Sequence, residues 1–138
     1  MRTRLSHAFR LFAVSALLVG CNSSTTPAAT TTLTIVKTAG DQQIATPGGA
    51  VEVTPTVRIT DADGAPVSGV LVYFTVTQGG GNISGGITRT DPDGVARAGN
   101  WRLGALLGAN LLKVTAEGVA AQYFSATAFR ASPGRDTL

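Results

Sequence analysis

The chain has 138 residues, of which 43% are hydrophobic and 14% are charged. This length suits one domain, and the combination of high apolar and low charged content excludes an intrinsically disordered chain. The 17 glycines, with many threonines and valines, favour strands and tight turns over helices.

The basic residues are concentrated at the amino terminus. Arg2, Arg4 and Arg10 are three of the 11 basic residues, and all 8 acidic residues lie beyond them. The rest of the chain therefore carries equal numbers of basic and acidic residues, which are interspersed along it. Because no basic patch is available to displace counterions from a phosphate backbone, we expect no nucleic-acid binding.

The first 20 residues have the pattern of an export signal. The arginines precede a nine-residue apolar run from Leu11 to Val19. This run is much shorter than the roughly 20 residues that cross a bilayer. We therefore predict a cleaved signal peptide over residues 1–20 rather than a transmembrane anchor.

The segment Leu18-Val-Gly-Cys21 resembles the lipobox of bacterial lipoproteins, which implies cleavage before Cys21 and acylation of that residue. Cys21 is the only cysteine, so it cannot form an intramolecular disulfide. We predict Cys21 as a lipidation site and the membrane as a partner through the lipid; the alternative is an ordinary signal peptide with a chance cysteine. In Gram-negative lipoproteins an Asp after the cysteine favours inner-membrane retention, so Asn22 points to the outer membrane of the cell envelope.

The segment that follows the leader divides into three parts. Residues 21–31 hold the lipidated cysteine and a small, polar linker without apolar periodicity. Residues 32–128 form the predicted domain. Residues 129–138 are a tail, in which Pro133-Gly134 discourages regular structure.

Apolar residues alternate along the domain as they do in half-buried strands. The clearest alternation runs from Val51 to Thr60, with Pro55 expected at an edge or bulge because it cannot donate a ladder hydrogen bond. Leu33–Lys37 opens the sheet, and Val95–Leu103 is predicted as one strand with a bulge near Gly99. The predicted buried residues are Val53, Val57, Ile59, Val70, Val72, Phe74, Val76, Leu112, Val114, Phe124 and Ala126.

Turns separate these segments at nearly even spacing. Asp61-Ala-Asp-Gly64 and Asp91-Pro-Asp-Gly94 are the clearest of them. About seven short strands with turns every 8–12 residues or so are typical of an immunoglobulin-like β-sandwich. We therefore predict an all-β domain of two antiparallel sheets.

Several ordered motifs of this domain occur together in one known family. They are Gln43 with Gly49, Val57–Val67, Gly69–Val76, Gly79–Gly81, Thr90–Ala96, Trp101–Gly104, Gly108–Asn110 and Phe124–Ala128. With these motifs, the chain from about Leu33 to Ala128 resembles the bacterial immunoglobulin-like group 1 (Big-1) domain of the invasin and intimin adhesins. The resemblance implies an immunoglobulin-like sandwich, and adhesion is the role known for that family.

The residue types of enzymatic and metal sites are scarce. His7, the only histidine, leaves with the predicted signal peptide, so no Ser-His-Asp, Cys-His or zinc constellation is expected in the domain. The aspartates of the two turns are exposed, and each turn has too few further oxygen ligands for a full calcium loop. We predict that the chain is not an enzyme and has no catalytic residue, metal site or cofactor.

Three aromatic residues are candidates for recognition. Tyr73 and Tyr123 alternate with the inward Phe74 and Phe124, so both are expected to be partly exposed, whereas Trp101 is expected in the core. We predict a non-catalytic, lipid-anchored module of the cell envelope, with a structural or adhesion/interaction role towards an unknown protein or glycan. The alternative is a carbohydrate- or peptide-binding accessory module, which exposed aromatics on one sheet face would favour.

Lipidation can be tested directly on the protein recovered from cell envelopes. We expect mass spectrometry to find a mature chain that begins at Cys21 and carries a diacylglyceryl group, and a Cys21→Ser variant to keep its uncleaved leader. An unmodified thiol at Cys21 would contradict the prediction.

Overall fold

The structure, a computed structural model, describes residues 31–132. The predicted signal peptide, Cys21 and most of the linker lie outside these residues, as do residues 133–138 of the tail. The described part contains ten strands and no helix. The strands are β1 (Thr34–Ala39), β2 (Gln43–Ala45), β3 (Thr56–Thr60), β4 (Leu71–Gln78), β5 (Asn82–Ile83), β6 (Ile87–Arg89), β7 (Val95–Arg97), β8 (Trp101–Arg102), β9 (Gly108–Ala116) and β10 (Gln122–Ala128).

Two sheets face each other across the core. One has the strand order β1-β3-β7, and the other has the order β2-β10-β9-β4-β6. The predicted all-β immunoglobulin-like sandwich is therefore confirmed. Two details differ from the predicted pair of antiparallel sheets: β5 and β8 form a separate two-stranded sheet, and β2 pairs with β10 in parallel.

The core consists of the inward-facing residues of the strands. Val70 and Val76 are only partly buried, although both pack against the core. Trp101 is fully buried, as predicted, and its indole Nε1 has no hydrogen-bond partner within the described part. The predicted core residues that are buried are Val57, Ile59, Val72, Phe74, Leu112, Val114, Phe124 and Ala126.

The segment before β3 corrects the predicted strand from Val51 to Thr60. The strand begins only at Thr56, and Val53 is exposed rather than buried. The amide side chain of Gln43 accepts a hydrogen bond from the N–H of Val53 (2.7 Å) and donates one to its carbonyl (2.6 Å). A side chain thus replaces a neighbouring strand here, while Pro55 is buried directly before β3 rather than lying within a strand.

The predicted strand from Val95 to Leu103 is two strands that belong to different sheets. β7 pairs with β3, and the N–H of Ala98 still donates to the carbonyl of Pro55 (3.0 Å). The N–H of Gly99 donates instead to the carbonyl of Ser84 (2.8 Å). The chain therefore crosses from one ladder to the other at Gly99, where a bulge was predicted.

The two Asp-x-Asp-Gly segments form matching turns. The carboxylate of Asp61 accepts hydrogen bonds from the N–H groups of Asp63 and Ala65, both at 2.9 Å. The carboxylate of Asp91 does the same for Asp93 and Val95 at the same distances. The carboxylate of the first aspartate in each turn therefore stabilises the turn by accepting backbone hydrogen bonds, as the turn interpretation predicts.

The alternation along β4 predicts opposite responses at two adjacent residues. Phe74 is 3% exposed, so Phe74→Ala should destabilise the domain by about 3–5 kcal/mol through lost transfer energy and a cavity. This is a large part of the roughly 5–15 kcal/mol that stabilises such a domain. Tyr73→Ala should cost about 1 kcal/mol or less, because Tyr73 faces solvent. Urea melts of both variants provide the measurement, and a larger loss for Tyr73→Ala would mean that the strand register is wrong by one residue.

Candidate functional site

The outward face of the five-stranded sheet is the candidate functional site. Its two long central strands, β9 and β4, alternate between core and solvent, and β10 does the same beside β9. Because inward positions are occupied by the core residues, the intervening side chains are forced to the other face. We call the surface formed by Tyr73, Thr75, Lys113, Thr115 and Tyr123 the outer sheet face.

Strand pairing brings these five residues into two rows. Tyr123 pairs with Lys113, and Lys113 pairs with Thr75. In the next row, Thr115 pairs with Tyr73, which in turn pairs with Ile87 on β6. Tyr73 and Tyr123 are 41% and 47% exposed. Part of each side chain therefore packs against the protein, and the rest is accessible to a ligand. The prediction that both tyrosines are partly exposed is confirmed, and they lie on the same sheet face.

A shallow groove of about 540 Å³ adjoins Tyr73 at one end of this face. Leu33, Val70 and Leu71 contribute apolar walls, and Arg89 and Glu117 provide charges of opposite sign. The guanidinium of Arg89 donates a hydrogen bond to the carbonyl of Gly69 (2.9 Å), which fixes its position. The outer sheet face therefore continues into a recess with both apolar and charged walls.

A polar cluster joins β1 to the other side of this face. The ammonium group of Lys37 pairs with the carboxylate of Asp41 and donates to the carbonyl of Tyr123 (2.8 Å). The carboxylate also accepts hydrogen bonds from the N–H groups of Ser125 (2.8 Å) and Gln42 (2.9 Å). The Lys37 ammonium lies 5.7 Å from the centre of the Phe124 ring. This cluster fastens the end of β1 to β10 directly beside Tyr123.

Two opposing effects set the pKa of Asp41. Partial burial opposes ionisation and on its own would raise the pKa. The hydrogen bonds from Lys37, Ser125 and Gln42 and the positive charge of Lys37 outweigh it, so the pKa of Asp41 lies below its ordinary value. Sequence analysis missed this cluster because Asp41 and Ser125 are 84 residues apart and neither belongs to a recognisable motif.

The other sequence-predicted candidates are not brought together at this site. Cys21 lies outside the described residues, and Trp101 is in the core. Asp61, Asp63, Asp91 and Asp93 are in turns, and residues 31–132 contain no group of three or more His, Cys, Asp or Glu residues placed to hold a metal ion. The same part of the chain has no helix of the length and apolarity that a membrane crossing requires. The outer sheet face can stack on a ligand and form hydrogen bonds or ion pairs with it.

The lowered pKa of Asp41 predicts a pH-dependent contribution to stability. The ionised carboxylate is favoured in the folded state. Its contribution to the free energy of unfolding is therefore present above the pKa that Asp41 has in the unfolded chain, and it is lost as the pH falls through the lower pKa of the folded state. Asp41→Asn should therefore cost about 1 kcal/mol at neutral pH, a modest value because solvent screens the pair, and less at about pH 3. Urea melts at both pH values provide the test, with Asp93→Asn, which removes an exposed carboxylate outside the cluster, as the control. A cost for Asp41→Asn that is the same at both pH values would contradict the assignment.

Comparison with known proteins agrees on the fold. No protein-family model matches the chain, and no curated protein matches it. The C-terminal 282-residue fragment of intimin, solved in complex with the intimin-binding domain of the translocated intimin receptor (Tir), is 26% identical with a TM-score of 0.54. The D0–D1 domain of intimin is 24% identical with a TM-score of 0.50. These matches cover 67% and 71% of this chain, which spans only 32% and 46% of the two intimin chains.

The same fold also occurs inside a much larger enzyme chain. A glycosyl hydrolase family 2 member from Bacteroides cellulosilyticus is 14% identical with a TM-score of 0.55, over 72% of this chain and 14% of that one. At this identity the likeness shows the fold alone. Together, these structures and the strand order show that the described domain has the intimin-type immunoglobulin-like fold.

Proposed function

We propose that this chain is a non-catalytic interaction module of the cell envelope, lipid-anchored through Cys21, that binds a protein partner with its outer sheet face. The observation that carries the proposal is the placement of Tyr73 and Tyr123 on one exposed face around Lys113. Tyrosine is enriched in the energetically important parts of protein interfaces, where its ring buries much area and its hydroxyl forms hydrogen bonds.

The intimin fragment supports a protein as the partner. That fragment was solved in complex with a receptor domain, and it resembles this chain in both fold and sequence. The leader pattern and Cys21 support an envelope location, with the outer membrane favoured by Asn22. A polar linker between the lipid and the domain leaves the outer sheet face accessible to a partner.

Site-specific photo-crosslinking in intact cells tests the proposal. A photoreactive residue in place of Thr75, which lies beside Tyr73 on β4 and in the same row as Tyr123, should form a covalent adduct with a protein. The matched control is the same residue in place of Arg58, which is exposed on β3 in the other sheet and should form none. The double variant Tyr73→Ala/Tyr123→Ala should weaken the adduct at least about tenfold, in line with the loss of two interface aromatics. Adducts of equal yield from positions 75 and 58, or none from either, would contradict the proposal.

The second candidate is the carbohydrate- or peptide-binding accessory module, with a glycan as its ligand. The feature expected of such a module, exposed aromatics on one sheet face, is present in Tyr73 and Tyr123. A protein partner ranks first because the similar intimin fragment was solved in complex with a receptor domain. Flat aromatic rings can bury the apolar face of a sugar. With a glycan as the ligand, position 75 yields no protein adduct, and soluble envelope polysaccharide retards the wild-type domain in a native gel. The Tyr73→Ala/Tyr123→Ala variant then migrates without retardation.

A further inference from the structure

A second exposed surface lies at the end of the sandwich farthest from Thr31. Strands β9 and β10 run along the domain from Ala116 and Gln122, near the groove, to Gly108 and Ala128 at the other end. At this far end Ile44, Leu106, Leu107 and Phe129 all expose large apolar side chains. Neighbouring backbone brings them together, since Gly108 pairs with Ala128 and the N–H of Phe129 donates to the carbonyl of Ala45 (2.9 Å). We call these four residues the apolar tip.

The loop that carries two of the tip residues is hydrogen-bonded at both of its ends. Leu106 and Leu107, 80% and 67% exposed, lie in the loop between β8 and β9. The buried side chain of Asn110 accepts a hydrogen bond from the N–H of Gly104 (3.0 Å) and donates one to the carbonyl of Gly108 (3.2 Å). Gly104 also lies so close to the Gly79 carbonyl that no side chain fits between them. Because both ends of the loop are fixed, the fold itself holds the two leucines out in solvent.

The charges near the tip are mainly positive. The guanidinium of Arg102 donates to the carbonyl of Gly48 (3.1 Å), and the N–H of Gly48 donates to the carbonyl of Gly104 (2.8 Å), so Arg102 adjoins the loop. Arg130 directly follows Phe129. Within residues 31–132 the one ion pair joins Lys37 and Asp41, which leaves both arginines without a carboxylate partner there.

Negative charge is concentrated at the opposite end. Of the seven described acidic residues, Glu52 and Asp41 lie in loops on the side of the tip, and the charge of Asp41 is balanced by Lys37. Five of the seven described acidic residues lie in turns at the groove end, where Thr60 pairs with Thr34 and β9 ends at Ala116. They are Asp61, Asp63, Asp91, Asp93 and Glu117. A negatively charged surface would therefore attract the tip and repel the other end.

We infer that the apolar tip docks on an anionic lipid surface. Leucine and phenylalanine next to arginine are the residue types with which membrane-surface helices insert at the headgroup level, and here loops and a strand end present the same types. Leucine is, in contrast, under-represented among the residues that dominate protein interfaces, where tyrosine is enriched as on the outer sheet face. The tip and the outer sheet face thus suit different kinds of partner.

Docking of the tip does not require a lipid on Cys21, but it is compatible with such a lipid. Ten linker residues from Asn22 to Thr31 span at most about 35 Å, and the nine-residue β9 spans about 30 Å. The linker is therefore long enough for the domain to lie along the membrane that would hold Cys21 and to bring its tip to the same surface. A partly inserted tip would then keep the outer sheet face at a defined orientation to the bilayer.

Vesicle binding of the chain from Asn22 to Leu138 tests the inference. This chain keeps the whole described core and lacks the apolar run from Leu11 to Val19, which would itself bind lipid. We expect it to co-sediment with vesicles of phosphatidylglycerol and phosphatidylcholine in equal parts, to bind phosphatidylcholine alone weakly, and to be released by salt. Leu106→Asp/Leu107→Asp should lose about tenfold or more of the binding to the mixed vesicles.

Matched controls separate docking from folding. Val36→Asp/Ile87→Asp places the same two charges at exposed apolar residues of β1 and β6, away from the tip, and should bind as the wild-type chain does. Both leucine substitutions are at exposed positions, so the urea midpoint should stay unchanged. Equal binding by the wild-type chain and the double leucine variant would overturn the inference. So would a wild-type chain that does not bind mixed vesicles, in which case an apolar groove of a protein becomes the fitting partner for the tip.

Discussion

The apolar contact between the three-stranded and the five-stranded sheet is the interaction on which the rest of this structure depends. The single cysteine cannot form an intramolecular disulfide, so noncovalent packing holds the two sheets together. Phe124, on the five-stranded sheet, and Trp101, on the separate two-stranded sheet, are the largest fully buried side chains of the described core. Because successive residues of a strand point to opposite faces, the same requirement for inward Phe74 and Phe124 places Tyr73 and Tyr123 outside. The candidate site is thus a direct consequence of core packing.

The sequence was sufficient to predict those parts of the fold in which apolar and polar residues alternate strictly along a strand that pairs with a neighbouring strand. Over Val72–Val76 in β4, Leu112–Ala116 in β9 and Phe124–Ala128 in β10 every second residue is apolar, and both the buried residues and the exposed tyrosines follow from that period. The alternation predicted the wrong environment for Val53. The side chain of Gln43 forms hydrogen bonds with the backbone N–H and carbonyl of Val53, so this residue does not pair with a neighbouring strand. The alternation failed again at Gly99, where the chain changes partners between ladders. The Lys37–Asp41 cluster and the exposed leucines could not be predicted, since they depend on which distant segments the topology brings together.

The polar cluster at the junction of the sheets connects stability with the candidate site. Asp41 holds the backbone of Ser125, and Lys37 holds the carbonyl of Tyr123, so both partners act on the strand that carries the exposed ring. The cluster therefore contacts the backbone of Tyr123 itself and of Ser125, two residues further along β10. The position of Tyr123 relative to Lys113 therefore depends on a contact made with β1, a strand of the opposite sheet.

The clamp formed by Asn110 has an evolutionary consequence. It specifies the ends of the loop through Gly104 and Gly108, while Ala105, Leu106 and Leu107 between them contribute no side chain to the core. Selection can therefore replace these three residues without disturbing the fold. Descendants of one ancestral sandwich could acquire different surface preferences by mutation at three codons, in the way that antibody loops diversify on a constant framework.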